Sequence, residues 1–184
     1  MLRNTATSWG AVAKNFHWIM AALLVVQITL GLMAVAWHVS PTKIQLFFWH
    51  KSLGMLILAL LALRLLWRLA NATPLLPADM PRWERAAAHA SHVLLYVLLI
   101  LLPITGWIVN SAANIPLRIF RLIPLPAIVE PNKPLAEFFA RVHLSLIIVF
   151  ALILAVHIAA ALRHHFIKRT TVLVRMLPGR WTTS

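Results

Sequence analysis

VHLSLIIVFALILAVH, residues 142–157, is a run of apolar side chains bracketed by two histidines, with Ser145 the one polar residue between them. Extended to about 138–162, it is long enough, at about 1.5 Å per residue, to cross the roughly 30 Å hydrocarbon layer of a bilayer. Leucine and alanine dominate, and the alternation of a barrel strand is absent, so the segment reads as a transmembrane helix. Polar rings are costly in that setting, which makes His143 and His157 candidates for function.

Stretches at about 16–37, 46–67 and 88–110 have the same character. Together they predict an all-α fold, a four-helix transmembrane bundle forming one integral membrane domain over residues 1–184. The composition agrees, with 61% hydrophobic residues, 11% charged residues and a mean hydropathy of +0.85, far more apolar than a soluble domain. Connections near 71–85 and 111–136 collect most of the prolines and several charges and are expected at the surface. At the N-terminus, Arg3 and Lys14 precede an apolar run ending in Ala34-Val35-Ala36, a pattern resembling a signal-peptidase site. The length of the run, and the His17 that cleavage would remove, favour a retained helix.

The distribution of lysine and arginine sets the expected orientation. Arg3, Lys14, Arg64, Arg68, Arg82, Arg85, Arg163, Lys168, Arg169, Arg175 and Arg180 fall on the side of both termini. Lys43, Lys51, Arg118, Arg121, Lys133 and Arg141 fall on the other. Both termini are therefore expected in the cytoplasm, with membrane lipid headgroups matching the inner cluster. The net charge of +13 does not indicate nucleic acid, because the basic residues sit at membrane boundaries with no soluble domain to carry a binding surface. The outer cluster exceeds what orientation requires, and only Glu130 and Glu137 offset it.

Cysteine is absent, which excludes disulfides, thiolate-ligated iron-sulfur clusters and covalent haem attachment through thioethers. Histidine remains as the ligand type. Fourteen residues separate His143 from His157, about 21 Å of rise, and their phases differ by only about 40°, so they share a face at opposite depths. Antiparallel threading brings His50 to the depth of His143 and His17 to the depth of His157. Paired imidazoles far from carboxylates suit an iron porphyrin with both axial positions filled, a centre that passes electrons. Zinc is the weaker alternative, because a structural site wants four ligands and each pair supplies two. The further histidines on the inner side leave a metal there open.

Around those pairs, Gly54 lies one turn after His50, where a missing side chain suits either a flat macrocycle or close helix packing. Arg64 is nearly aligned with His50 and could pair with a haem propionate or snorkel to the interface. His89 and His92, three residues apart, form with Asn15 and His164 a candidate polar pocket at the inner side. Such a pocket offers a quinone hydrogen-bond donors and a route for protons. Gln27 is expected to bond across the bundle and Pro103 to bend the third helix.

Taken in order, NFHW (15–18), FFWHKSLG (47–54), RLLWRL (64–69), AHASHVLLYVLLILLPITGW (88–107), VHIAAALRHHF (156–166) and VLVRMLPG (172–179) resemble the bacterial cytochrome b561 family over nearly the whole chain. The resemblance implies a multi-pass inner-membrane bundle holding two b-type haems, with His17, His50, His143 and His157 as the iron's axial ligands. It also implies a superoxide oxidase, an oxidoreductase that takes electrons from periplasmic superoxide and passes them to ubiquinone. On that reading Lys43, Lys51, Arg118, Arg121, Lys133 and Arg141 steer the anion to the outer haem, some of them serving as headgroup anchors. The quinone is expected near Asn15, which stands where family members can carry serine, and His164, with protons entering through His89, His92 or His164. The rival expectation is an electron-transfer subunit whose outer basic patch docks a soluble periplasmic redox donor. A metal-binding or transport module on the same histidines is the non-redox alternative.

Overall fold

The computed structural model describes residues 1–75 and 80–178; Gly179 and Arg180, used above for the resemblance and the orientation, lie outside them. Four helices are long and apolar enough to cross a membrane: α1 (Ala11–Ala36), α2 (Pro41–Leu69), α3 (Arg82–Ala112) and α4 (Lys133–Phe166). Each contains its expected span, ending one residue short in α1, and most run past it by a turn or so. The extra turns are polar segments that the membrane does not require and that local capping supports. Ser40 Oγ accepts from the Lys43 N–H at the start of α2, and Asn132 Oδ1 from the Leu135 N–H at the start of α4, each followed by a proline in the first turn.

Neighbouring helices in the chain pack as α1 on α2, α2 on α3 and α3 on α4. The central layer consists of Met20, Ile57, Leu61, Leu98, Leu99 and Phe150, all buried. Phe150 stands seven residues from His143 and seven from His157, so this layer separates the tier of His143 from that of His157, outer and inner in the expected orientation. Large apolar side chains on the outside, among them Val25, Leu32, Leu63, Val97, Leu152 and Val156, remain exposed in the isolated chain, as lipid-facing positions should.

The connection after α3 holds an element absent from the sequence expectation, an antiparallel hairpin of β1 (Leu117–Ile119) and β2 (Ile123–Leu125). Its tip places Phe120 at φ 49° and Arg121 at φ 63°, a left-handed conformation unusual for such residues. Wholly buried Ser52 of α2 holds the turn, its hydroxyl oxygen accepting the Phe120 N–H at 3.0 Å. Trp107 Nε1 donates to the Pro126 carbonyl and the Ile128 N–H to Ser111 Oγ, fastening the rest of the connection to α3.

At the opposite end, Asn4 donates to the Ala72 carbonyl, Arg175 to that of Leu75, and Trp18 Nε1 to that of Met176. The N-terminal segment, the second connection and the tail with its 3₁₀ turn (Val174–Met176) thus lie at one end of the bundle, and the hairpin at the other.

Candidate functional site

The structure brings the four histidines together as two facing pairs. His50 of α2 meets His143 of α4 with ring centres 6.4 Å apart and planes at 82°. His17 of α1 meets His157 of α4 at 6.5 Å and 62°. A shared iron about 2 Å from each nitrogen, with each nitrogen about 1 Å from its ring centre, would place the centres about 6 Å apart. Both pairs have the span of a bis-imidazole iron.

In the outer pair the hydrogen bonds also fix which nitrogen keeps its lone pair. His50 Nδ1 lies 3.2 Å from the Gln27 carbonyl, which can only accept, so Nδ1 carries the hydrogen and Nε2 keeps its lone pair. Thr105 spends its hydroxyl hydrogen on the Leu102 carbonyl, so its oxygen accepts from His143 Nδ1 at 2.9 Å, and His143 Nε2 likewise keeps its lone pair. Such outer contacts orient metal-ligating imidazoles. Gly31 makes the seat for His50, since a Cβ there would stand 2.9 Å from the ring's Cε1. Gly106 faces the His143 ring less tightly, since a Cβ there would meet it at 3.5 Å, an ordinary contact.

The inner pair sits among cations. Arg64 Nη2 lies 3.4 Å from His17 Nδ1, its carbon 5.4 Å from the centre of the Tyr96 ring, and among the described residues no carboxylate contacts it. Arg68 donates to Tyr96 Oη. Trp67 Nε1, on the same turn of α2, is a buried donor without a partner among the described residues. Donors in surplus, with no anion nearby, fit a ligand that brings its own carboxylates, as a haem brings propionates. His92 makes a direct edge contact with His157, ring centres 5.3 Å apart. Among the described residues no group of three or more histidine, aspartate or glutamate side chains converges as a metal ion would need, so zinc has no ready site there.

Other expected site residues are placed less uniformly. Gly54 opposes Gln27, whose Nε2 would lie 3.1 Å from an added Cβ. Gln27 does bond across the bundle, its amide reaching His50 Nε2 at 3.5 Å while its Oε1 is buried without a partner. Asn15 and His89 are exposed, and His165 packs edge-on against Phe166. His164 is buried, with Nε2 3.5 Å from Glu84 Oε2.

On the outer side, Lys43 donates to the Val35 and Trp37 carbonyls at the end of α1. Arg121 donates to Gln45 Oε1 at 3.0 Å and lies 4.9 Å above the Phe48 ring. Lys51 is half-buried beside His50, while Arg118, Lys133 and Arg141 are exposed. The cations are therefore not alike: Lys43 and Arg121 are tied to neighbours, Lys51 is half-buried, and the other three are exposed. Gly31, Thr105, Gly106, Tyr96 and Glu84 were not singled out from the sequence. The segment PITGW places Thr105 and Gly106 two and three residues after Pro103, the available signal for two of them.

Residues 8–179 match the family model described as prokaryotic cytochrome b561. The chain is 32% identical over 182 residues to cytochrome b561 homolog 2 of Escherichia coli (strain K12), covering 95% of this chain and 93% of that protein. Cytochrome b561 homolog 1 of the same organism is 28% identical over 169 residues, covering 89% and 93%. A probable superoxide oxidase CybB of Yersinia pestis is 33% identical over 132 residues, covering 71% and 74%.

Proposed function

Because this chain belongs to the prokaryotic cytochrome b561 family, a family of haem b electron-transfer proteins of the membrane, we propose that it carries electrons from superoxide at the periplasmic face of the inner membrane to ubiquinone. On this reading both termini are cytoplasmic, in keeping with the excess of lysine and arginine on their side.

The observation that carries the reading is the stacking of two imidazole pairs, one in each half of the bundle, at separations of 6.4 and 6.5 Å. His50 and His143 would hold one haem b, and His17 and His157 the other. Bound there, each haem iron supplies one-electron redox chemistry between its ferric and ferrous forms. The protein's work is to hold and orient. Gln27, through its backbone carbonyl, and Thr105 fix the outer imidazoles, while Arg64 offers charge to a propionate at the inner site.

Superoxide has only an electron to give, and it leaves as oxygen, so the outer face needs neither nucleophile nor general acid. It needs a field that draws a small anion to the His50–His143 end. Half-buried Lys51, next to His50, and Arg121, held by Gln45 and Phe48, supply it, and such focusing raises encounter rates by about 10 to 1000-fold. The similarity to a protein named probable superoxide oxidase supports this choice of donor.

The test is a superoxide pulse delivered to purified, haem-loaded protein under anaerobic conditions, followed optically with and without a ubiquinone analogue. Haem reduction faster than spontaneous loss of superoxide, followed by reoxidation only with quinone, is expected. Reduction no faster than that loss would overturn the reading and leave the docking of a soluble donor in its place.

A further inference from the structure

Glu84 is the one buried carboxylate among the described residues; Glu130 and Glu137 are exposed. It lies in the first turn of α3, and its contacts come from the end of α4 and the tail that follows. Lys168 Nζ reaches both of its oxygens, at 2.6 and 2.7 Å, Arg163 Nη1 lies at 3.2 Å, and His164 Nε2 at 3.5 Å. Arg82 and Arg85 share its own helix turn but turn outward. Taking a carboxylate out of water is expensive, and a tie between two helix ends could be made by an exposed pair or by apolar contact. The burial of this one calls for a use.

We propose that Glu84 is the carboxylate through which protons reach the quinone site, loading His164. The inference rests on the quinone reading above. The contacts form a chain, since Lys168, 27% exposed, meets solvent and reaches both oxygens of Glu84, and Glu84 in turn lies 3.5 Å from the His164 ring. His164 stands seven residues after His157, two turns along the same stripe of α4. Both of its ring nitrogens face oxygen. Nε2 faces Glu84, and Nδ1 lies 3.3 Å from Thr170 Oγ1, whose hydroxyl also returns to the His164 carbonyl.

An imidazole so placed can take a proton on one nitrogen and release one from the other. Reduction of one quinone consumes two electrons, delivered along the proposed electron path, and two protons from the cytoplasmic side. Two O–H bonds form, the quinone is reduced to the quinol, and each proton given up by His164 is replaced by way of Glu84. Glu84 is thus a positioning and relay residue that acts through His164.

The experiment is stopped-flow oxidation of the chemically reduced, haem-loaded full chain by decylubiquinone across pH 6 to 8. Glu84→Gln should keep the wild-type haem content and reduced spectrum, yet be oxidised at least tenfold more slowly, with a flattened pH profile, and Glu84→Asp should restore most of the rate. A Glu84→Gln protein oxidised at the wild-type rate with the wild-type profile overturns the inference. Wild-type protein that decylubiquinone fails to oxidise overturns the quinone reading and this inference together. If Glu84→Gln does not accumulate with haem, Thr170→Val carries the test, because it leaves the ion cluster intact. The same slowing is then expected, and an unchanged rate and profile overturns the inference.

Discussion

Thr105 accepts the Nδ1 hydrogen of His143 at 2.9 Å, while its own hydroxyl hydrogen is spent on the Leu102 carbonyl. Thr105, together with the Leu102 carbonyl, thereby sets from α3 which nitrogen of an α4 imidazole keeps its lone pair. Thr105→Val keeps the shape and removes the acceptor. Contacts of this kind are worth about 10 to 100-fold in metal affinity, so outer-site haem should dissociate that much more readily while the inner site is unchanged. Titration of haem into membranes or detergent-solubilised protein measures it, and equal retention at both sites would contradict the assigned geometry.

His143→Ala should leave about one haem per chain, held by His17 and His157, and His17→Ala about one held by His50 and His143. The two variants should lose different components of the reduced α-band. Pyridine haemochrome assays against protein mass provide the count, and a His143→Ala protein with full pigment and an unaltered spectrum would remove the basis of the two-tier arrangement.

Gly31→Ala places a Cβ 2.9 Å from His50 Cε1, too near for the ring to stay where it is. Overpacking of this sort costs about 1–3 kcal/mol, and the ring's displacement should appear as loss of the outer haem before global unfolding. Thermal melts followed separately by haem absorbance and helical circular dichroism distinguish the two. Coincident melts at the wild-type temperature would show that the seat is not needed.

Lys51→Gln and Arg121→Gln together should lower the rate constant for reduction by superoxide by about 10-fold at low ionic strength and flatten its salt dependence, because the pair supplies field rather than contact. Reduction by a neutral small reductant should be unaffected. If both reductants slow equally, the cations shape the outer site instead of steering an anion to it.

Much of this was legible in the sequence because membranes impose coarse and strong constraints. Helix length and apolarity gave the four spans, and the depth and phase of His143 and His157 pointed to His50 and His17, whose rings are their neighbours in the structure. What escaped depends on register between helices. That Gln27 offers its carbonyl to His50, or that Gly31 lies under the same ring, follows from how α1 is rotated against α2, which composition does not encode. Glu84 looked like an ordinary charge at a helix start, and its burial arises only when the tail folds back and brings Lys168 to it. The hairpin tip at Phe120 and Arg121 carries no glycine to mark it, since Ser52 on a distant helix holds the turn.

His143 and His157 are rooted in one uninterrupted helix, with Phe150 midway between them. On the proposed two-haem reading, the gap an electron would tunnel is therefore gauged by the pitch of a single rod, and loosened packing elsewhere would change how firmly the pigments are held without lengthening the jump. Only adding or deleting a residue between the two would re-gauge it. One extra residue turns His157 by about 100° off its stripe, so this stretch should tolerate exchanges of side chain far better than any change of length.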